Sequence, residues 1–238
     1  LAVPGEGKYD LIICGSDQIW NQRLTDGPDP VYWGIESKNW GRRIVSYAAS
    51  LENGLLQTGP AEIDFLKGFD AVSVREESAA SVLKEMGLTV TTCCDPVMLL
   101  ERKDWENLAA KSSLSRKNYL LLYQVRYSER MYRHAETLAK EKGLELVVLS
   151  AKVEMQNSKG MGTASPEDFV RLIMDADYIV TSSFHGTALS LVLGKEFESV
   201  LFGDGRDSRA AGLLALRDSG RLGEFIQKSK EYLLTNCI

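Results

Sequence analysis

Apolar residues along this chain fall into short runs of strand length, and between most of them lies a stretch whose apolar positions recur with the 3.6-residue period of a helix. The runs YDLIICG, RRIVSYAAS, AVSVRE, TVTTCCD, YLLLYQV, LELVVLS, DYIVTSS and FESVLFG are apolar at consecutive rather than alternate positions. A strand buried on both faces reads this way, so the pattern predicts parallel sheets covered by helices. After AVSVRE, residues Ala79, Val82, Leu83 and Met86 repeat at helical spacing, and Gly87 suits the left-handed position that ends a helix. Met131, Ala135, Leu138 and Ala139 make a second stripe that stops before Gly143. Phe169, Leu172, Ile173 and Ala176 make a third, opened by the capping sequence SPED with Ser165 as N-cap, Pro166 at the first helical position and Asp168 at the third.

These elements predict an α/β fold of two Rossmann-like parallel-sheet domains with a cleft between them. The polar, serine-rich stretch KSSLSRKN separates them, giving expected domains of 1–112 and 113–238. The final segment RLGEFIQKSKEYLLTNCI is expected to be a helix packed across both. The first strand comes soon after the first residue and there is no initiator Met, so the first domain is expected to be incomplete at its N-terminus.

Composition narrows the functions this fold could serve. A net charge of −5 argues against broad electrostatic binding to nucleic acid or anionic lipid, so any anion site has to be local. The four cysteines have neither metal-ligand spacing nor the density of a disulfide scaffold, which points to a reducing compartment and no structural zinc. No apolar run approaches the roughly 18 residues of a membrane span.

In open α/β sheets ligands gather at the carboxyl ends of strands, where loops and helix N-termini converge. There the chain offers Gly15, Ser16 and Asp17 after the first strand, Arg75 after the third, Asp95 after the fourth, Arg126 after the fifth, His185 after the seventh, and Arg206, Ser208 and Arg209 after the eighth. His185 is one of two histidines, and Gly186 and Thr187 after it read as the start of a helix whose N–H groups favour an anion. An unperturbed imidazole titrates near about 6.5, so it could bind phosphate or pass a proton; closing a strand-to-helix turn is an equally open reading. Arg75 could grip a carboxylate or phosphate, or merely pair with Glu76 or Glu77 beside it. Gly15-Ser16-Asp17 could offer backbone donors to a ligand or form an ordinary capped turn. Asp95-Pro96 reads first as a strand terminator, His134 as a solvated helix residue, and Cys93-Cys94 as buried strand. Glycine-rich P-loop and dinucleotide signatures are absent.

Taken in order, YDLIICGSDQIWN, RRIVSYAASL, AVSVREESAASVLKEMG, CCDPVMLL, DYIVTSSFHGTALSLVLGKEF and DSRAAGLLALRDSGRL resemble the polysaccharide pyruvyl transferase family over almost the whole chain. The resemblance implies a GT-B-like pair of Rossmann-like domains. It also implies transfer of a pyruvyl group from phosphoenolpyruvate to a sugar of a bacterial cell-surface glycan or its lipid-linked precursor, with a pyruvate ketal as product. Arg75 and His185 match positions that the family brings to phosphoenolpyruvate. Several members carry Arg-x-His where this chain has Ser183 in SFHG; Arg209, with Arg126 behind it, is the expected substitute for the missing charge. In this reading Arg75 and Arg209 clamp the donor, the helix at Gly186 and Thr187 holds its phosphate, and His185 supplies a proton; no metal or organic cofactor is needed. The implied location is cytoplasmic, with peripheral association at the inner membrane face. A GT-B-type nucleotide-sugar glycosyltransferase and a non-catalytic glycan-binding member of the fold are the alternatives.

Overall fold

The computed structural model describes residues 7–51, 59–150, 164–203 and 207–238. The chain divides into two compact units, residues 1–99 with 204–238, and residues 100–203.

The strands of the first unit are β1 (Tyr9–Cys14), β2 (Gly41–Ser46), β3 (Val72–Val74) and β4 (Val90–Thr92). β1 runs parallel to β2 and β3 parallel to β4, while single parallel bridges at Val45–Ala71 and Ala49–Val74 join the pairs into a row. Two serines fasten the middle of that row. The Ser46 hydroxyl donates to the Ser73 carbonyl at 2.9 Å, and the Ser73 hydroxyl donates to the Ser46 carbonyl at 2.8 Å. Both side chains are fully buried, so this reciprocal pairing removes the penalty that an unmatched hydroxyl would carry.

Helices α1 (Gln22–Thr25), α2 (Pro60–Leu66) and α3 (Glu77–Glu85) connect the strands of this unit. The core gathers Trp20, Trp33, Leu66, Phe69 and Leu83 against the sheet, with the two indoles 5.6 Å apart and Phe69 edge-on to Trp20 at 5.8 Å. The tryptophan of GSDQIW is therefore core, and its Nε1 donates to the Tyr32 carbonyl at 2.8 Å.

In the second unit, α4 (Arg102–Ala109) precedes β5 (Tyr119–Gln124), α5 (Glu129–Lys142), β6 (Glu145–Ser150), α6 (Pro166–Asp175), β7 (Tyr178–Thr181), α7 (Phe184–Val192) and β8 (Phe197–Ser199). The sheet is parallel throughout, in the order β6-β5-β7-β8. Leu120 and Leu122 of β5, Val148 and Val180 pack against Met131, Ala135 and Ala139 of α5. Gly143 ends α5 at φ +67, and the Ser165 hydroxyl caps α6 by accepting the Asp168 N–H at 3.1 Å.

The chain then returns to the first unit with α8 (Ser208–Asp218) and α9 (Leu222–Asn236). Hydrogen bonds fix α9 there: the Tyr232 hydroxyl donates to the Ser46 carbonyl at 2.9 Å, and the Ser229 hydroxyl accepts the Cys94 N–H at 2.8 Å. The division thus falls after Leu99 and again after Gly203, where the sequence suggests a single boundary at 112/113. Trp105 and Ala109 give α4 a buried face, and α4 packs on α6, so the stretch before the serine-rich loop belongs to the second unit.

Candidate functional site

β3 ends on Val74, so Arg75 leaves the carboxyl edge of the first unit's row, its N–H held by the Ala49 carbonyl at 3.0 Å. Its side chain is 3% exposed, and its guanidinium lies 2.7 Å from Asp95 Oδ2 and 3.6 Å from Asp17 Oδ1. Asp95, almost wholly buried, also accepts the Val97 N–H at 2.9 Å and so caps the turn Pro96–Met98. The strand-terminator reading of Asp95 is incomplete, because the same carboxylate is the principal counter-charge of Arg75. The local pairing expected for Arg75 gives way to this long-range one, and Glu77 instead accepts the Thr92 hydroxyl at 2.6 Å.

Asp17 is the exposed member of the group. It comes after Gly15 and Ser16 in a turn where Gly15 has φ +138 and Asp17 φ +62, and a Cβ on Gly15 would stand 2.1 Å from the Tyr47 carbonyl oxygen. Only glycine fits that crossing. The Asp17 carbonyl accepts the Ser50 N–H at 2.8 Å, which ties the turn to the sheet. Its carboxylate reaches Arg209 Nη1 at 3.5 Å as well as Arg75, so one exposed anion bridges two largely buried cations. Arg209 comes from the first turn of α8, the element that the sequence reading assigned to the other domain.

Glu76 completes the cluster and was not singled out in the sequence. It is 6% exposed, its Oε1 accepts the Ser50 hydroxyl, and its Oε2 has no hydrogen-bond partner. Burial raises its pKa; Ser50, Arg75 and Arg209 only partly oppose the rise. The only signal in the sequence was its place next to Arg75.

In the second unit, α7 begins at Phe184, two residues before the expected start, and Ser183 is its N-cap. The Ser183 hydroxyl accepts the Gly186 N–H at 3.3 Å, and the Ser183 carbonyl accepts the Thr187 N–H and hydroxyl, each at 3.0 Å. Both amides expected to meet a ligand are thus engaged within the helix. Gly186 is required by packing: a Cβ there would meet Thr181 Oγ1 at 2.3 Å and Tyr123 Cδ1 at 2.9 Å. His185 lies in the first turn of α7, half-buried, its ring edge-on to Phe184 with centroids 5.3 Å apart. Arg126, on the loop after β5, sets its guanidinium 4.7 Å from the centre of the Phe202 ring.

His134 is not simply solvated, since its Nε2 lies 2.8 Å from Glu198 Oε2. Cys93 and Cys94 are buried as expected. Arg206 lies outside the described residues. Among the described residues no group of His, Cys, Asp and Glu is arranged to hold a metal, and no helix is long and apolar enough to cross a membrane.

The row of parallel strands and the four-stranded sheet define an α/β protein of the GT-B-like class, and solved structures of that class resemble it. A UDP-GlcNAc 2-epimerase from Neisseria meningitidis, bound to UDP-GlcNAc, superposes with a TM-score of 0.56 at 12% identity, over 95% of this chain and 76% of that one. The corresponding enzyme from Methanocaldococcus jannaschii gives 0.53 at 13% identity, over 86% and 69%. Identities this low speak for the fold alone. The family is fixed by sequence: the model for polysaccharide pyruvyl transferase matches residues 3–197, and the chain belongs to that family. No curated protein matches it.

Proposed function

We propose that the chain transfers a pyruvyl group from phosphoenolpyruvate to a saccharide of a cell-surface glycan or its lipid-linked precursor, working from the cytoplasmic side. Membership of the polysaccharide pyruvyl transferase family supports a transferase. The observation that supports the donor is the pair of arginines, Arg75 and Arg209, held by buried and bridging carboxylates at the carboxyl ends of the first unit's strands. Phosphoenolpyruvate carries a carboxylate and a phosphate on three carbons, and fixed guanidinium groups suit both. Asp95 orients Arg75 from behind, and Asp17, exposed on the solvent side, gives way as the donor anion takes its place.

Chemistry then needs an acid for the methylene carbon, and His185 is the proposed donor of that proton. An acceptor hydroxyl adds to the central carbon as the methylene is protonated, giving a tetrahedral phospho-ketal, and the hydroxyl's proton restores the imidazolium. The bond from that carbon to the phosphate oxygen breaks, a second acceptor hydroxyl closes the ketal, and its proton leaves with phosphate.

The test is phosphate release from phosphoenolpyruvate with a panel of free and lipid-linked saccharides. His185→Ala is expected to lower the rate by roughly 10²–10⁴-fold, the usual cost of removing a general acid. A variant turning over like the parent removes His185 from the scheme. Binding of a nucleotide sugar with no binding of phosphoenolpyruvate would instead favour the glycosyltransferase reading.

A further inference from the structure

In the second unit β5 lies between β6 and β7, so the chain leaves β5 for one face of the sheet and β7 for the other. α5 covers the face that carries Leu120, Leu122 and Val180, while α7 sets Gly186 against Tyr123 and Thr181 on the opposite face. Where successive connections part in this way, a crevice opens at the carboxyl ends of the two strands. At that edge stand Gln124 and Ser182, the residues just past the paired positions Tyr123 and Thr181.

Side chains alternate along a strand, so Gln124, the last residue of β5, lies on the α5 face beyond Leu122, and Ser182 follows directly on β7 beside it. Gln124 is fully buried, and its Oε1 accepts the Ser128 N–H at 3.1 Å just ahead of α5. That bond fixes the amide and turns Nε2 away. Nε2 meets no acceptor, and neither does the buried Ser182 Oγ, although the Ser182 N–H donates to the Tyr123 carbonyl at 3.2 Å. Leaving a buried donor unpaired is costly, and a Leu or Met at 124 would avoid that cost. Such groups in a native fold call for an explanation outside the fold itself.

The surroundings say what the missing partner is. Nε2 is a pure donor, the Ser182 hydroxyl can donate, and the fourteen-residue α5 presents the positive end of its dipole at Ser128. Arg126 stands on the loop between Gln124 and Ser128, half-buried over Phe202. The nearest carboxylate in sequence, Glu129, is engaged by Tyr127 and Arg133. We infer that Gln124 and Ser182 form an oxyanion subsite at the β5/β7 switch point, built to take a phosphoryl group of a bound ligand. That group belongs either to the donor or to a phosphorylated saccharide acceptor, and both present the same oxygens to the site.

The subsite is separable from the proposed reaction. Nitrogen-15 spectra of the whole chain would follow the Gln124 side-chain amide, assigned by its loss in Gln124→Met, through titrations with inorganic phosphate, phosphoenolpyruvate and glucose 1-phosphate. The amide resonance is expected to move with inorganic phosphate. A response to phosphoenolpyruvate but not to glucose 1-phosphate would identify the donor as the source, and the converse the acceptor. Gln124→Glu keeps the acceptor for Ser128 and the shape, but replaces the donor with a charge that repels phosphate. It should weaken binding at least about tenfold, and Ser182→Ala, which preserves the Gln124–Ser128 bond, should weaken it less while the same resonance still reports. An amide that stays still at saturating concentrations of all three probes overturns the inference and leaves buried water as its partner. Movement of the amide in a chain that never releases phosphate from phosphoenolpyruvate would remove the proposed reaction and keep the subsite.

Discussion

Glu76 shows what one buried side chain does to its neighbours. Glu76 shares its cluster with two other carboxylates and two guanidinium groups, and its burial and unshared Oε2 disfavour the charged form. Its pKa is raised in the folded state, so the sign of the linkage is fixed. The stabilisation is fully present below the ordinary glutamate range and is lost as pH rises through the raised value. Glu76→Gln keeps an acceptor for Ser50 and has no proton to lose. Its unfolding free energy, measured against pH by denaturant titration, should therefore decline less than the parent's as pH is raised from about 4.5. Parallel curves for the two proteins would show that the Glu76 pKa does not change on folding. At this scale the sequence revealed Arg75 but not its partners. Asp95 lies twenty residues away and Asp17 near the start of the chain, whereas Glu76 and Glu77 sat beside Arg75 as the local candidates. Proximity in sequence is a poor guide to a buried ion pair, because the pairing is set by which strand ends the sheet brings together.

The strands were legible because a parallel sheet buries both faces, and runs such as YLLLYQ leave no alternation to confuse with a helix. α7 was harder. Its sequence reads as strand, then histidine, then glycine, and nothing local shows that Ser183 rather than Phe184 or His185 is the cap. The start moved two residues because a hydroxyl at Ser183 can satisfy the Gly186 N–H. Gly186 offers the sharpest test of this element. A glycine inside a helix would ordinarily gain about 0.5–1 kcal/mol on replacement by alanine. Here the added methyl meets Thr181 and Tyr123, so Gly186→Ala is expected to destabilise the protein by about 1–3 kcal/mol, as overpacked cores do. Chemical denaturation of the two proteins gives the sign directly. A stabilised alanine variant would mean that α7 stands further from β5 and β7 than described.

For the molecule as a whole, the return of the chain after Gly203 is what the sequence concealed. A terminal amphipathic helix can be recognised from its period, but its period does not say which unit it covers; that depends on Tyr232 reaching Ser46 and Ser229 reaching Cys94. One consequence is chemical. Burial raises the thiol of Cys14 to about 11 and that of Cys93 to about 12, and Cys94 is raised by the same cause. Only Cys237 is partly exposed. A disulfide reagent at pH 8 should therefore titrate one thiol of the native chain and all four after unfolding. Prompt reaction of Cys93 or Cys94 in the folded protein would mean that α9 does not cover them.

The central claim is that the arginines joined through Asp17 bind the donor. Arg209 is the residue to change, since removing Arg75 would strand Asp95 as a buried charge and confuse binding with stability. Calorimetric titration of phosphoenolpyruvate into the parent chain and into Arg209→Ala measures the claim directly. The account predicts saturable binding by the parent and a loss of about 10- to 150-fold in the variant, the worth of one charge-assisted contact. Equal affinity in both, or no affinity in the parent, would contradict it.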